Sequence, residues 1–155
     1  MTVRRAIKED IPSLDHLLLQ VRKVHSDLRP DLFRDGTKKY TDDELYAIIT
    51  DNNTPIFVYE EDGKILGHAF CVLEDYSNNP AWKAHKTIYI DDICVDETAR
   101  GKGIAHKLFE KVKEYAILCG CYNITLNVWE GNSPAYNLYK SLGFKVFKEG
   151  MEIIL

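Results

Sequence analysis

The run Arg100-Gly101-Lys102-Gly103-Ile104-Ala105 sets two glycines one residue apart, between a strand-like stretch that ends at Val95 and an amphipathic stretch that begins inside the run. Glycine lets a backbone come close to a ligand. The unpaired N–H groups at the start of a helix converge on one spot and favour negative charge there. A diphosphate would satisfy those donors. The dinucleotide fingerprint G-x-G-x-x-G is left incomplete, because its last position is His106, and no G-K-[ST] of a P-loop occurs. Just upstream, Asp91 and Asp92 interrupt an apolar run, where carboxylates are unusual without a partner or a role. Strict alternation sends Asp91 to the face of Tyr89, Ile93 and Val95, and Asp92 to the face of Ile90 and Cys94. One of the two is therefore expected at any given site.

These residues need elements to hold them. Residues 2–7 suit a first strand, and Asp10 can cap a helix whose apolar stripe is Ile11, Leu14, Leu17, Leu18 and Val21. Thr41-Asp42-Asp43-Glu44 reads as a capping box ahead of a second, short helix. Two β-rich runs, 56–59 and 64–72, flank Asp62-Gly63, which supplies the positive φ of a tight hairpin turn. A third run covers Thr87 to Val95. A helix from about Lys102 to Cys119 follows, with Ile104, Leu108, Phe109, Val112 and Ala116 on one face and Gly120 at its end. Then come a strand from Tyr122 to Trp129 and a helix capped by Asn132, with Pro134 in its first turn and Gly143 beyond its end. Phe144 to Leu155 reads as a final strand or strand pair. The order β-α-α-β-β-β-α-β-α-β predicts an α/β (α+β) fold, a mixed and mostly antiparallel sheet flanked by helices.

The 155 residues fit a single domain spanning 1–155. A hydrophobic content of 45% with 28% charged residues is that of a soluble globular chain. The formal net charge of −4, without a basic stripe, argues against nucleic acid as a partner. The first residues hold no apolar stretch for a signal peptide or a membrane span, so a cytoplasmic location is expected. The four cysteines form no C-x-x-C pair, and Cys119-Gly120-Cys121 has no nearby His to complete a ligand set, so no metal is expected.

With its flanking strand and helix, R-x-x-G-x-A resembles the acetyl-CoA pyrophosphate loop of the GNAT N-acetyltransferase superfamily. Asn132-x-x-Ala135-x-x-Leu138-Tyr139-x-x-Leu142-Gly143-Phe144 resembles the later motif of the same family. The match runs from about Ile88 to Phe144. It implies that Ile93, Cys94 and Val95 line the pantetheine arm of acetyl-CoA where two strands splay, and that Arg100, Gly101, Lys102, Gly103, Ile104 and Ala105 cradle its pyrophosphate. Asn132 and Tyr136 would flank the arm near its thioester. Tyr139 would protonate the departing thiolate, a task that suits a phenol hydroxyl.

The resemblance implies acetyl transfer to a primary amine, a small molecule such as a polyamine. Alkylammonium groups ionise about three units above neutral pH, so a base must help. Asp91 is favoured for this and Asp92 is the alternative; either could instead pair with a structural Arg or bind the substrate cation. Cys94 reads as packing, since no His lies near it in sequence. Asn127 stands where some peptide-acetylating relatives carry Glu. A protein lysine or N-terminal acetyltransferase, and a non-catalytic CoA-binding regulatory module, are the competing readings. Family members often pair through a sheet edge, so a homodimer is a further expectation.

Overall fold

A computed structural model describes residues 1–155. The elements are β1 (Thr2–Arg5), α1 (Ile11–Leu28), α2 (Asp42–Thr50), β2 (Ile56–Glu61), β3 (Lys64–Asp75), β4 (Lys86–Val95), α3 (Ile104–Leu118), β5 (Asn123–Leu126) and α4 (Ser133–Ser141). The strands make one sheet in sequence order, β1-β2-β3-β4-β5. Its first three pairings are antiparallel, and β4 with β5 is parallel because α3 crosses over between them.

Each face of the sheet buries an apolar layer. On one side Phe57, Tyr59, Ala69, Cys71, Ile88 and Ile90 meet Ile104, Leu108, Phe109 and Val112 of α3. On the other, Ile56, Val58 and Phe70 meet Ile11, Leu14 and Leu18 of α1 and Leu45 and Ile49 of α2. Gly67 of β3 lies under the start of α3. A Cβ there would come within 3.0 Å of the Cys94 carbonyl oxygen and Leu108 Cδ1, and within 3.1 Å of Ile104 Cγ2. The missing side chain sets how closely α3 seats on the sheet.

The turn chemistry matches the sequence at several points. Thr41 Oγ1 accepts from the Glu44 N–H at 3.1 Å and the Glu44 carboxylate accepts the Thr41 N–H, closing the capping box of α2. Asp62 and Gly63 both take positive φ, 51° and 73°, in the β2–β3 turn. Asn132 Oδ1 accepts the Ala135 N–H at the start of α4.

Four expectations need correction. Asp10 stands before α1 but makes no side-chain cap to it. Its carboxylate instead accepts the Ile7 N–H at 2.9 Å and binds the Arg4 guanidinium through both oxygens, closing the 3-10 turn Lys8–Asp10. The crossover helix starts at Ile104, because Gly103 just before it is left-handed at φ 76°. β5 stops at Leu126, short of Trp129, where β4 ceases to pair with it. Finally, residues 144–155 form no strand. A strand exists only with a partner edge, and no backbone group of residues 145–155 bonds to β5 or to any other element.

Candidate active site

Register decides where the two aspartates go. Along β4, Ile90 lies opposite Cys71 and Asp92 opposite Phe70, so β4 has one residue more than β3 at that point and Asp91 is the bulged one. A bulge reverses the parity of side chains beyond it. Ile88 and Ile90 face α3 before it, and Ile93 and Val95 pack on that same side after it. Asp92 and Cys94 therefore turn to the α1 face, and Asp91 projects there as well. The expectation that alternation would send the two aspartates to opposite faces is corrected by this single inserted residue. Both line one small pocket of about 60 Å³ with Leu18, Val21, Arg22, His25, Phe33 and Lys39.

Within that pocket the carboxylates have different partners. Asp91 Oδ2 accepts from Lys39 Nζ at 3.2 Å, and its side chain is 34% exposed. Asp92 Oδ2 lies 2.7 Å from His68 Nε2, and the His68 side chain is fully buried. The ring of His68 stands edge-on to Phe70, and its Nδ1 has no partner. With Nε2–H donating to Asp92, the imidazole holds one carboxylate oxygen in place and leaves the other for a ligand. Burial opposes charge on Lys39, yet Asp91, Tyr40 and Asp92 outweigh it and raise the ammonium pKa. Burial lowers the His25 pKa despite the pull of Asp92, leaving a neutral imidazole beside the aspartates at pH 7.

Tyr139, on α4, is half-buried, and its ring meets Phe144 edge-on at 6.0 Å. Burial first, then the charge of Asp92 and the nearby Cys94 and Tyr89, raise the pKa of the phenol. A hydroxyl so placed keeps its proton at any physiological pH. The Cys94 thiol is pushed up to about 12 by burial and by Asp92, and its Sγ lies 3.7 Å from the Leu17 carbonyl oxygen. A thiolate there is strongly disfavoured, in keeping with a packing role.

The loop before α3 has an open backbone. Gly101 and Gly103 take φ of 81° and 76°, and a Cβ on either would meet nothing within 4 Å. None of the N–H groups from Arg100 to His106 donates to another backbone group or to a side chain. The Asp96 N–H bonds the Leu66 carbonyl, and Arg100 Nε donates to the Val95 carbonyl, which fixes the approach to the loop. Alongside, pairing of β4 with β5 ends at Ile90, so the edge of β4 from Asp91 to Val95 faces no strand. This edge, the loop and the side chains of Asn132, Tyr136 and Tyr139 line one cleft of about 2810 Å³.

All the residues singled out from sequence except Lys102, which lines neither, thus surround two connected features, a loop of free amides beside an unpaired strand edge and a pocket with two carboxylates. Sequence reasoning missed His68, Lys39 and His25. Only His68 gave a signal: it is the one imidazole in the apolar run from Ile65 to Val72, as Asp91 and Asp92 are the carboxylates in the strand that pairs with it.

A sequence model of the acetyltransferase (GNAT) family matches residues 21–144. Thialysine N-ε-acetyltransferase of Bos taurus is 41% identical over 68 residues, 44% of this chain and 39% of the bovine protein. Spermine/spermidine N(1)-acetyltransferase of Bacillus subtilis is 31% identical over 97 residues, 59% of either chain. The chain therefore spans about two fifths of the length of the thialysine relative. The crystal structure of a mutant of the BH1408 protein from Bacillus halodurans superimposes with a TM-score of 0.95 at 31% identity, covering 100% of this chain and 99% of that one. An aminoglycoside N-acetyltransferase solved with CoA shares the fold at a TM-score of 0.71 and 18% identity, covering 99% of this chain and 98% of that one.

Proposed function

We propose, from the premise that this chain belongs to the acetyltransferase (GNAT) family, that it transfers an acetyl group from acetyl-CoA to a primary amine of a small molecule that carries further positive charge. One observation carries the reading: seven consecutive residues, Arg100 to His106, have N–H groups without protein acceptors, beside a strand edge that is unpaired from Asp91 to Val95. Those donors at the start of a 15-residue helix fit a diphosphate, and the edge fits an extended amide-bearing arm added like a strand.

Acetyl-CoA supplies an acetyl group already activated as its thioester. The chain supplies the rest. Arg100 to Ala105 hold the pyrophosphate, Ile93, Cys94 and Val95 line the pantetheine arm, and Asn132 and Tyr136 border its reactive end. Backbone N–H near Val95 polarises the thioester carbonyl. The amine nitrogen forms its bond to the carbonyl carbon, and the carbon–sulfur bond breaks. Tyr139 donates its proton to the departing sulfur, and Asp91 takes the proton that the ammonium must lose, directly or through water. Asp91 suits this role better than Asp92. Its partner is the exposed Lys39, whereas Asp92 is tied to a buried histidine and acts as a fixed charge that favours the cation.

The acceptor reading is supported by the chemistry of the small pocket and by its relatives. Two carboxylates and a neutral histidine suit a cationic amine, and the bovine and bacillar relatives bear the names of thialysine and spermidine acetyltransferases. A thiol-release assay with acetyl-CoA across polyamines, lysine analogues, aminoglycosides and lysine-bearing peptides tests it. Turnover with one of the small polycations, at least about tenfold above peptides in kcat/KM, is expected. Release with peptides alone would overturn the acceptor class, and binding of acetyl-CoA without release for any amine would overturn the enzyme reading.

A further inference from the structure

The connection between α1 and α2 carries an amine of the chain itself into the site. Lys39 Nζ lies 3.2 Å from Asp91 Oδ2, and the two side chains are 40% and 34% exposed, so the pair is open to a ligand. A general base works within hydrogen-bond reach, about 2.6–3.2 Å, of the group whose proton it takes. An ammonium of this chain already stands at that distance from the proposed base.

The neighbours of Lys39 build this placement. Lys38 is tied to Asp15 of α1 at 3.1 Å and to Asp42 at the start of α2 at 3.3 Å. Tyr40 stacks on Phe70 of β3 with ring centroids 6.3 Å apart, and the Lys39 ammonium stands 5.3 Å from the Tyr40 ring. Lys39 is also the one primary amine that lines the small pocket, where Arg22 offers a guanidinium and His25 an imidazole. It lines the large cleft as well, together with Ile93, Val95 and Tyr139, where the acyl donor is proposed to lie. Lys39 is thus an internal stand-in for the acceptor ammonium.

We infer that, with acetyl-CoA bound and no external amine present, the chain acetylates its own Lys39. The inference rests on the acetyl-transfer reading and extends it to a modification site. Asp91 takes one proton from the Lys39 ammonium, and Nζ bonds to the thioester carbonyl carbon. The carbon–sulfur bond breaks and the sulfur takes the proton of Tyr139, while the second proton shed by Nζ returns to the phenol through water. The products are acetylated Lys39 and free CoA, and the proton held by Asp91 passes to solvent. Acetylation removes the charge of Lys39, so its ion pair with Asp91 is lost and each chain reacts once. Uncatalysed transfer does not favour this lysine. Burial opposes its charge, but Asp91, Tyr40 and Asp92 outweigh burial and raise its pKa, which keeps the amine protonated unless a base acts.

Incubation of the full chain with acetyl-CoA and no amine, followed over time by peptide mass mapping, tests it. Lys39 should gain one acetyl group at least about 100-fold faster than any other lysine, because it alone is held beside the base. Its first-order rate constant should not change with protein concentration, since amine and site belong to one chain. Tyr139→Phe should slow the labelling by about 100-fold, because the same phenol serves the leaving sulfur. Labelling of Lys39 no faster than of other lysines, a rate constant that rises with concentration, or Tyr139→Phe labelled at the wild-type rate would each overturn it. Thiol release with spermidine, lysine and a lysine-bearing peptide on the same sample separates this inference from the reading beneath it. Turnover of any of these with Lys39 left unmodified overturns self-acetylation alone, whereas neither turnover nor label overturns acetyl transfer as well. Should Tyr139→Phe prove unfolded by circular dichroism, site selectivity and concentration dependence of the wild type decide.

Discussion

At the scale of single residues, the proposed turnover would rest on Tyr139, Asp91 and the pair of Asp92 with His68. Removing the Tyr139 hydroxyl should leave acetyl-CoA bound but slow the chemistry. Tyr139→Phe is expected to lower kcat by about 100-fold with little change in KM for acetyl-CoA, measured by steady-state thiol release. Because burial and neighbouring negative charge raise the pKa of this phenol, it stays a donor at pH values where an ordinary tyrosine, near 10, would begin to ionise. The wild-type kcat should therefore show no fall centred near pH 10, and such a fall would contradict the assignment. Asp91→Asn should cut kcat/KM by about 100-fold or more, with the largest loss on the acid side, where the free amine is scarcest. An unchanged pH profile would remove Asp91 from the proton path. The residues that line the candidate site were largely legible from sequence: carboxylates in an apolar strand stand out from their surroundings, and the family resemblance singled out Tyr139. His25 and Lys39 were not, since a histidine and a lysine in a polar stretch look like solvated surface until α1 and the loop after it fold over β4.

Elements convert those residues into a site, and here the sequence was less complete. The alternation rule failed at Asp91 because a bulge, which costs only one unpaired residue, is invisible in a pattern of apolar and polar side chains. The glycine loop was legible because both its composition and its place before an amphipathic helix announced it. Its seating depends on Gly67, which nothing in the hairpin's sequence marked as special. Gly67→Ala should destabilise the fold by about 1–3 kcal/mol, since the new methyl meets the Cys94 carbonyl and displaces Ile104 and Leu108. Because Ile104 opens α3, the same change should raise KM for acetyl-CoA; thermal melts and kinetics on one sample check both. Asp96 joins α1 to the end of β4: its carboxylate caps Thr98 at 2.9 Å and accepts from Gln20 at 3.1 Å. Asp96→Ala should cost about 1 kcal/mol, as loss of a cap does. The Thr98 and Gln20 hydrogen bonds lower the Asp96 pKa below that of a free carboxylate. Its stabilisation is thus present above the unfolded value, near 3.9, and is lost as pH falls through the lower folded one. Acid denaturation of wild type and Asp96→Ala should converge at low pH.

The whole molecule is a sheet with helices on both faces, and its order was read correctly up to α4. The final strand was not, for a physical reason: residues 144–155 have the composition of a strand, but pairing depends on an edge that composition does not place. No helix is long and apolar enough to cross a membrane. The loop of free amides, the unpaired edge of β4 and the carboxylate pocket line neighbouring parts of one cleft, as the proposed reaction between an anionic acyl donor and a cationic acceptor would require. The proposed chemistry depends on that loop receiving a diphosphate. Calorimetric titration of the chain with acetyl-CoA, and with S-acetylpantetheine, which has the thioester and arm but no diphosphate, tests this most directly. Charge-assisted bonds contribute about 1.5–3 kcal/mol each, so one acetyl-CoA should bind per chain at least about 100-fold more tightly than S-acetylpantetheine. Equal affinity for the two, or no heat with acetyl-CoA, would contradict the account.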